Sequence, residues 1–382
     1  MLPNESSSGA RGVVVAYVPD PGAHASEHER ATLLEFTRRL ARLKGYDMGG
    51  LYEPASREPA RHPAGPVYFV PSQTLSREQA AGLGISNPAD LFGGVVPQRF
   101  ISTKAISHPL VAADAVAVAG WNPDFARQVS DAVLPGYTVF SLADAGRAGL
   151  RLLADGPVRI KPVRATGGHG QSVARNAAQL QQLLGGVDSN ELTAHGLVLE
   201  QDMADVRTFS VGQLRVADLV ASYFGSQRLT RNNKGDEVFG GSDLTVVRGD
   251  FDALLAISPP PEIRRAVEQA RRYDAAVQAC YPGFYASRRN YDVLLGRDAA
   301  GVWRSGVLEQ SWRVGGATGP EIAALETFRD QPQRTLVRAA SVEIYGDSPE
   351  PPPHATVYFR GTDPRVGRLT KYTVIEPDVD AR

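Results

Sequence analysis

Cysteine is almost missing from this chain. Cys280 stands alone, which excludes an internal disulfide and any cysteine-cluster metal site. It falls in the apolar-leaning tail of a helical stretch and reads as a structural residue. An excess of one charge is missing too: 41 Lys and Arg against 42 Asp and Glu leave a formal charge of −1. A dedicated nucleic-acid or membrane-surface binder carries a basic excess, so neither partner is expected. The densest basic cluster, Arg38, Arg39, Arg42 and Lys44, reads as the solvated side of a helix. No apolar run approaches the ~20 residues of a membrane span. The opening MLPNESSSGARG lacks a charged segment followed by an apolar one, so it reads as a disordered lead-in and not a secretory signal. Close histidine pairs are lacking except His24 and His28, which straddle a helix start at Ser26 and lack the glutamate of an H-E-x-x-H helix; they read as loop and cap surface. No G-x-S-x-G elbow marks a serine hydrolase. What remains is a cytoplasmic globular chain of 382 residues, with room for about two or three domains.

The pattern along the chain begins as α/β. Val13–Val18 is a β-branched run suited to a strand buried on both faces. Ser26 and Glu29 form a capping-box signature before a helix with Leu33, Phe36, Leu40 and Leu43 at helical spacing, ended by Gly45. A Pro-rich loop, a strand at Val67–Val70 and a helix from Ser76 follow, so strand and helix alternate around a parallel sheet. The spacing then predicts a short strand at Ala115–Ala119, a helix from Asn122-Pro123 to Leu134, a strand at Tyr137–Phe140 and a helix from Ser141 to Ala154. Another helix is expected over Asn176–Leu184. From Leu197 strand-like runs crowd together, with Gly212-Gln213 as a hairpin turn and Arg228–Gly241 as a long polar loop of the lid kind. A helix over Pro261–Ala279, strands at Tyr291–Gly296 and Trp303–Glu309, helices at Glu321–Arg329 and Pro332–Tyr345, and two tail strands near Thr356–Arg360 and Leu369–Ile375 complete the reading.

Two stretches carry chemistry. In PVRIKPVRATGGHGQS, Lys161 ends a β-prone run just before Gly167, Gly168 and Gly170. Glycines allow backbone N–H groups to converge on an anion, and the lysine can add its charge to the same phosphates. The spacing is neither a P-loop nor a dinucleotide fingerprint, and a plain surface hairpin is the bland alternative. In NYDVLLGRDAAGVWRSGVLEQSWRVGGATG, Asp292 and Glu309 fall on two neighbouring strands, with Ser311 on the face of Glu309. Two carboxylates and a hydroxyl make an oxygen site suited to Mg2+, which keeps several waters and needs no protein cage. Arg313, next on that face, could reach a phosphoryl oxygen, and Gly315-Gly316 leaves room for backbone contact. The bland alternative here is a hairpin with exposed acids.

These features, with Lys104 and LVLEQDM, stand in an order that resembles the ATP-grasp superfamily of ligases. The resemblance implies that Lys104 and Lys161 are the two phosphate-binding lysines and that Ala165–Gly170, with Thr166, Gly167, Gly168, His169 and Gly170, folds over the phosphates. It implies that Glu200, with Gln201 and Met203 beside it, lines the adenine pocket, and that Asp292, Glu309 and Ser311 hold Mg2+ on a pattern similar to D … L-E-x-N-x-R-x-G-G. Ser311 replaces the pattern's asparagine, and Arg207 stands where an acid often contacts ribose. The implied fold is mixed α/β and α+β: an N-terminal α/β domain at 1–103, a region with an α/β lid at 104–196, a C-terminal mixed or antiparallel sheet domain at 197–345, and a tail at 346–382. The implied activity is an ADP-producing carbon–nitrogen ligase that uses ATP and Mg2+ on a small carboxylate and an amine, with Arg313 stabilising an acyl phosphate. Arg231 and Lys234 in the polar loop, and Arg288 and Arg289 before the metal strand, are the candidate substrate contacts, together with Gly315 and Gly316. Ligases of this kind are often dimers, so the resemblance allows a homodimer. A kinase or carboxylate–thiol transfer on the same fold stays open, as does a non-catalytic ATP-binding protein, which the Ser311 and Arg207 departures motivate.

Overall fold

The computed structural model describes residues 11–19, 26–52, 65–164, 170–347 and 350–377. The N-terminal lead-in to Ala10, His24 and its loop, and most of the Pro-rich stretch after Tyr52 lie outside the described residues. β1 (Val13–Tyr17) lies between β2 (Asp47–Tyr52) and β3 (Val67–Pro71), all parallel. α1 (Glu27–Lys44) starts at the capping box of Ser26 and Glu29 and stops at Gly45, whose φ of 66° is the left-handed conformation that a C-terminal glycine supplies without a Cβ penalty. β4 (Leu75–Ser76), α2 (Arg77–Gly82) and β5 (Gly94–Val96) complete the N-terminal layer.

Residues 115–119 are irregular, so the strand expected there is absent. α3 (Pro123–Gln128) is shorter than its spacing suggests: Val129 to Leu134 continues as turns and packs its apolar side chains into the core. A four-stranded sheet follows where the lid is expected, as β6 (Gly136–Val139), α4 (Leu142–Leu153), β7 (Val158–Pro162), β8 (Ser172–Ala174), α5 (Ala177–Gly185), α6 (Ser189–His195) and β9 (Leu197–Gln201). Its strand order is β6-β9-β7-β8, antiparallel throughout, and Ala145, Ala148, Leu180 and Leu184 from the helices bury one face of it.

The rest of the chain builds one large sheet. Its strands are β10 (Ala204–Val216), β11 (Leu219–Arg231), β12 (Glu237–Arg248), β14 (Arg288–Arg297), β15 (Trp303–Ser311), β16 (Leu336–Tyr345), β17 (Thr356–Asp363) and β18 (Gly367–Ile375). Their order is β15-β14-β10-β11-β12-β16-β18-β17. The two-residue β13 (Tyr285–Ala286) pairs instead with β5 and so ties the N-terminal layer to this domain. α7 (Phe251–Ala256) and α8 (Pro261–Cys280) cover one face of the large sheet, where Phe209, Val211, Tyr291 and Val293 are buried. α9 (Thr318–Asp330) and α1 cover part of the other, over Leu214, Tyr223, Val246 and Val337.

Several expectations change. The hairpin turn lies at Ala217-Asp218, with Ala217 at φ 52°, and Gly212-Gln213 sits inside β10, because both flanks of that pair find strand partners. The polar stretch Arg228–Gly241 is a hairpin and not a lid loop: Arg228 to Arg231 pairs with residues 237–241, leaving Asn232–Asp236 as the tip. Residues 336–345 form β16 where a helix is expected, since β12 and β18 on either side satisfy its backbone. The tail is not separate, because β17 and β18 extend the same sheet. Its Tyr358 and Phe359 pack on α1, so two residues read as surface are buried: Arg39, ion-paired with Glu326 and bonded to Tyr358, and His28, against Phe359.

Candidate functional site

Asp292 and Glu309 are direct cross-strand partners. That juxtaposition depends on a β-bulge. Val293 pairs with Val307, both facing α8, and Leu308 is the extra residue that turns Glu309 to the opposite face. Ser311 then pairs with Asn290 on the same face, and Ser210 of β10 lies beside Asp292. Ser210 Oγ and Asn290 Nδ2 each lie 3.1 Å from Asp292 Oδ1, and Gln227 Nε2 reaches Ser210 Oγ at 3.1 Å. Burial, and then the Glu309 charge opposite, push the Asp292 carboxyl up to about 6 against these bonds. Two carboxylates held side by side at a cost to ionisation suit a divalent cation.

Lys104 lies in a short 3₁₀ turn, Lys104–Ser107, buried, with Nζ 2.8 Å from Glu309 Oε2. The same turn leads to His108, whose Nε2 is 3.3 Å from Glu200 Oε2, and Lys161 at the end of β7 pairs with the other Glu200 oxygen. All three of these side chains are buried. Burial alone would push the Glu200 carboxyl up; Lys161 and His108 outweigh it and hold it at about 2. Gln201 follows at the strand end, and Met203 packs with Leu134 and Leu294 where lid and large sheet meet. Gly170, at φ 69°, is exposed beside Pro162. Thr166, Gly167, Gly168 and His169 lie outside the described residues.

Arg288 and Arg289 do not share a surface. Arg288 lies on the Asp292 face but is fully buried against Glu321, and its Nη1 donates to the Ser311 and Arg313 carbonyls at 3.1 and 2.5 Å. Arg289 points to the α8 side, 3.4 Å from Asp274 and bonded to Gln213. Arg313 stays near the carboxylates; burial, then Arg288, pull its guanidinium below the ordinary value, against Glu309 and Asp292. Gly315 N donates to Thr318 Oγ1 and opens α9, while Gly316 lies under the Phe239 ring, where an added Cβ would come within 2.3 Å. Arg231 and Lys234 are exposed at the hairpin tip, which Asn233 Nδ2 ties to the Arg368 carbonyl at 3.0 Å. Sequence reasoning missed Ser210, Gln227, Asn290, His108 and Glu321; Asn290 alone carried a signal, two residues before Asp292 and so on its face.

The oxygen donors on this face fit Mg2+. Among the described residues no group of three His, Cys, Asp or Glu gathers at one point. Cavities of about 320 Å³ beside Trp121 and about 290 Å³ beside Arg289 are lined by none of Lys104, Lys161, Asp292 or Glu309. No helix among the described residues is long and apolar enough to cross a membrane.

No curated protein matches the chain. Solved structures do match across nearly its whole length. N5-carboxyaminoimidazole synthetase from Staphylococcus aureus, complexed with ADP, is 14% identical over 98% of this chain and 95% of its own, with a TM-score of 0.52. The synthase from Aspergillus clavatus, with ADP and 5-aminoimidazole ribonucleotide, is 12% identical over 97% and 94%, at 0.52. Biotin carboxylase from Campylobacter jejuni, in a β-γ-ATP complex, is 13% identical over 96% and 87%, also at 0.52. These are ATP-grasp enzymes, and at such identities the likeness speaks for the fold: this is an ATP-grasp fold, as the motif order implied. The family model described as "Protein of unknown function (DUF3182)" matches residues 16–373, and the chain belongs to that family.

Proposed function

We propose that the chain is an ADP-forming ligase that uses ATP and Mg2+ to activate a small carboxylate as an acyl phosphate for attack by an amine. One observation carries the reading: the turn at 104–108 links two ion-pair clusters, buried Lys104 with half-buried Glu309 on the large sheet and buried His108 with Glu200 and Lys161 on the lid. Buried lysines held by carboxylates at the meeting of two sheets are suited to exchange those partners for phosphate oxygens. The ADP and ATP named with the similar structures support a nucleotide there.

In this reading Asp292, Glu309 and Ser311 hold Mg2+, which supplies positive charge to the phosphates. Lys104 and Lys161 add theirs, and the lid limits water. A substrate carboxylate oxygen attacks the γ-phosphorus, the bond to the β–γ bridging oxygen breaks, and ADP leaves. Arg313 and the backbone at Gly315-Gly316 steady the acyl phosphate. The amine nitrogen then attacks the acyl carbon, inorganic phosphate leaves, and the amine proton passes to solvent. Glu200, with Gln201 and Met203, borders the adenine side. Arg231 and Lys234 lie on an exposed tip, and Arg288 is committed to Glu321, so Arg313 is the strongest of the proposed acid contacts.

The test is ADP release from Mg-ATP with pooled amino acids and small carboxylates, with Lys161→Ala alongside. Release that needs both an acid and an amine and vanishes in the variant is expected. Release with the acid alone would turn the reading to a kinase, and ATP binding without release in any pool would turn it to a non-catalytic binder.

A further inference from the structure

The buried network beside the two carboxylates is one proton short. The Tyr223 hydroxyl lies 2.5 Å from Glu321 Oε1 and 2.8 Å from the Asn290 side-chain amide. A phenol donates one hydrogen. Glu321 is fully buried and accepts twice from Arg288, at 2.8 and 3.0 Å, so it is an acceptor only and takes that hydrogen at the shorter distance. The Tyr223 oxygen is then an acceptor toward Asn290, which only the amide nitrogen can satisfy. Amide nitrogen and oxygen are interchangeable by a half-turn of the side chain. With the nitrogen on Tyr223, the amide oxygen faces Asp292 Oδ1 across the 3.1 Å now spanned by the other amide atom. Two oxygens so placed repel each other unless a proton or a metal cation joins them, and only a metal cation serves the Glu309 carboxylate opposite as well. Adjacent oxygens around an octahedral Mg2+ with bonds of 2.0–2.1 Å are about 2.9 Å apart.

We propose that Asn290 is an oxygen ligand of the divalent cation, beside Asp292 and Glu309. It stands directly across the ladder from Ser311, so the ligand amide comes from β14 and adds to the weaker Ser311 hydroxyl. Binding the cation turns the amide and gives Tyr223 its donor in one step. Without the cation the nitrogen returns to Asp292. The inference rests on the Mg2+-nucleotide reading above.

The test is Mn2+ binding by the full chain in the presence of ADP, followed by electron paramagnetic resonance, with ADP affinity in EDTA and thermal melting measured on each variant. Asn290→Ala is expected to weaken Mn2+ by at least ~10-fold, more than Ser311→Ala does, and Asn290→Asp, which keeps an oxygen, retains binding. ADP affinity in EDTA should be alike in all. Should Asn290→Ala fail to fold, Tyr223→Phe reads the same network: loss of its oxygen is expected to weaken Mn2+ several-fold, whereas a Tyr223 that merely donates to the amide would leave Mn2+ unchanged, overturning the assignment. Ordinary Mn2+ binding in Asn290→Ala, or a loss confined to Ser311→Ala, overturns this inference and leaves the ligase reading standing. A wild-type chain that binds neither ADP nor Mn2+ overturns both.

Discussion

Replacing Glu321 by glutamine tests the buried support of the site. Arg288 and Glu321 have side chains 2% and 0% exposed, joined at 2.8 Å. Burial works against the Arg288 charge, and Glu321 outweighs it. Glu321→Gln keeps the shape and removes the counter-charge, leaving the guanidinium with neutral acceptors alone, the new amide oxygen and the Ser311 and Arg313 carbonyls. Removing one partner of a buried pair costs about 3–5 kcal/mol. Arg288→Met should cost about as much, because Glu321 is then left with Tyr223. Removing both charges, in Arg288→Met with Glu321→Leu, leaves no uncompensated ion, and its cost should come mainly from the two orphaned carbonyls and Tyr223, about 1–3 kcal/mol each at most. The double variant should therefore lose less than the sum of the singles, because the groups it orphans are already orphaned in Arg288→Met or Glu321→Gln and no uncompensated ion is added. Urea unfolding followed by tryptophan fluorescence gives the cycle, and buried Trp312, one residue from Ser311, reports on this region. Single variants that lose under 1 kcal/mol, or losses additive within about 0.5 kcal/mol, would refute the claim that the pair acts as a unit.

Three further outcomes are expected. Glu200 is held at about 2 against an ordinary 4.5; a depressed carboxylate stabilises fully above its unfolded value and loses that contribution as pH falls toward the folded one. Between pH 5 and 3 the wild type should lose about 2 kcal/mol more than Glu200→Gln in urea unfolding, and parallel profiles would count against the buried pairing. Gly316→Ala would drive a Cβ into the Phe239 ring and should cost about 1–3 kcal/mol, an effect that Phe239→Leu relieves; an unchanged melting temperature in the single variant would show that the ring is not fixed there. Ending the chain at Tyr345 removes β17 and β18, bares the β16 edge and uncovers Arg39 and His28, so the shortened chain should aggregate on expression. A soluble product with a native melting transition would show the tail to be an accessory.

Much of the fold was legible where the signal is local. The Ser26–Glu29 box and the Gly45 stop each act within a turn or two, and each stands where expected. Ser311 faces the side of Glu309 because alternation needs only a continuing strand. Residues 336–345 read as a helix because Ala339 and Ala340 suit one and no breaker intervenes; their strand partners, β12 and β18, are far off in sequence. The polar hairpin was misread for the converse reason, since Arg228–Arg231 has loop chemistry and is held extended by its neighbour. Arg39 and His28 looked exposed because what covers them is more than 300 residues away.

The bulge at Leu308 is the least legible feature and the one on which the site turns. Were Leu308 paired in the regular ladder and not bulged out, it would stand opposite Asp292, and Glu309 would face α8 with Val307. The same step turns Gln310 to the α8 side, where it accepts from Tyr273 and donates to the carbonyls of Ile101 and Thr103. Those two bonds fix the backbone just before Lys104, and the Lys104 ammonium returns to Glu309. By leaving Leu308 unpaired, the bulge keeps the Glu309 carboxylate across the ladder from Asp292, and Gln310 positions the lysine that pairs with it. The carboxylate and the lysine thus share one local register, and a deletion of Leu308, which joins Val307 to Glu309 in a regular ladder, should keep Glu309 opposite Asp292 and paired with Lys104.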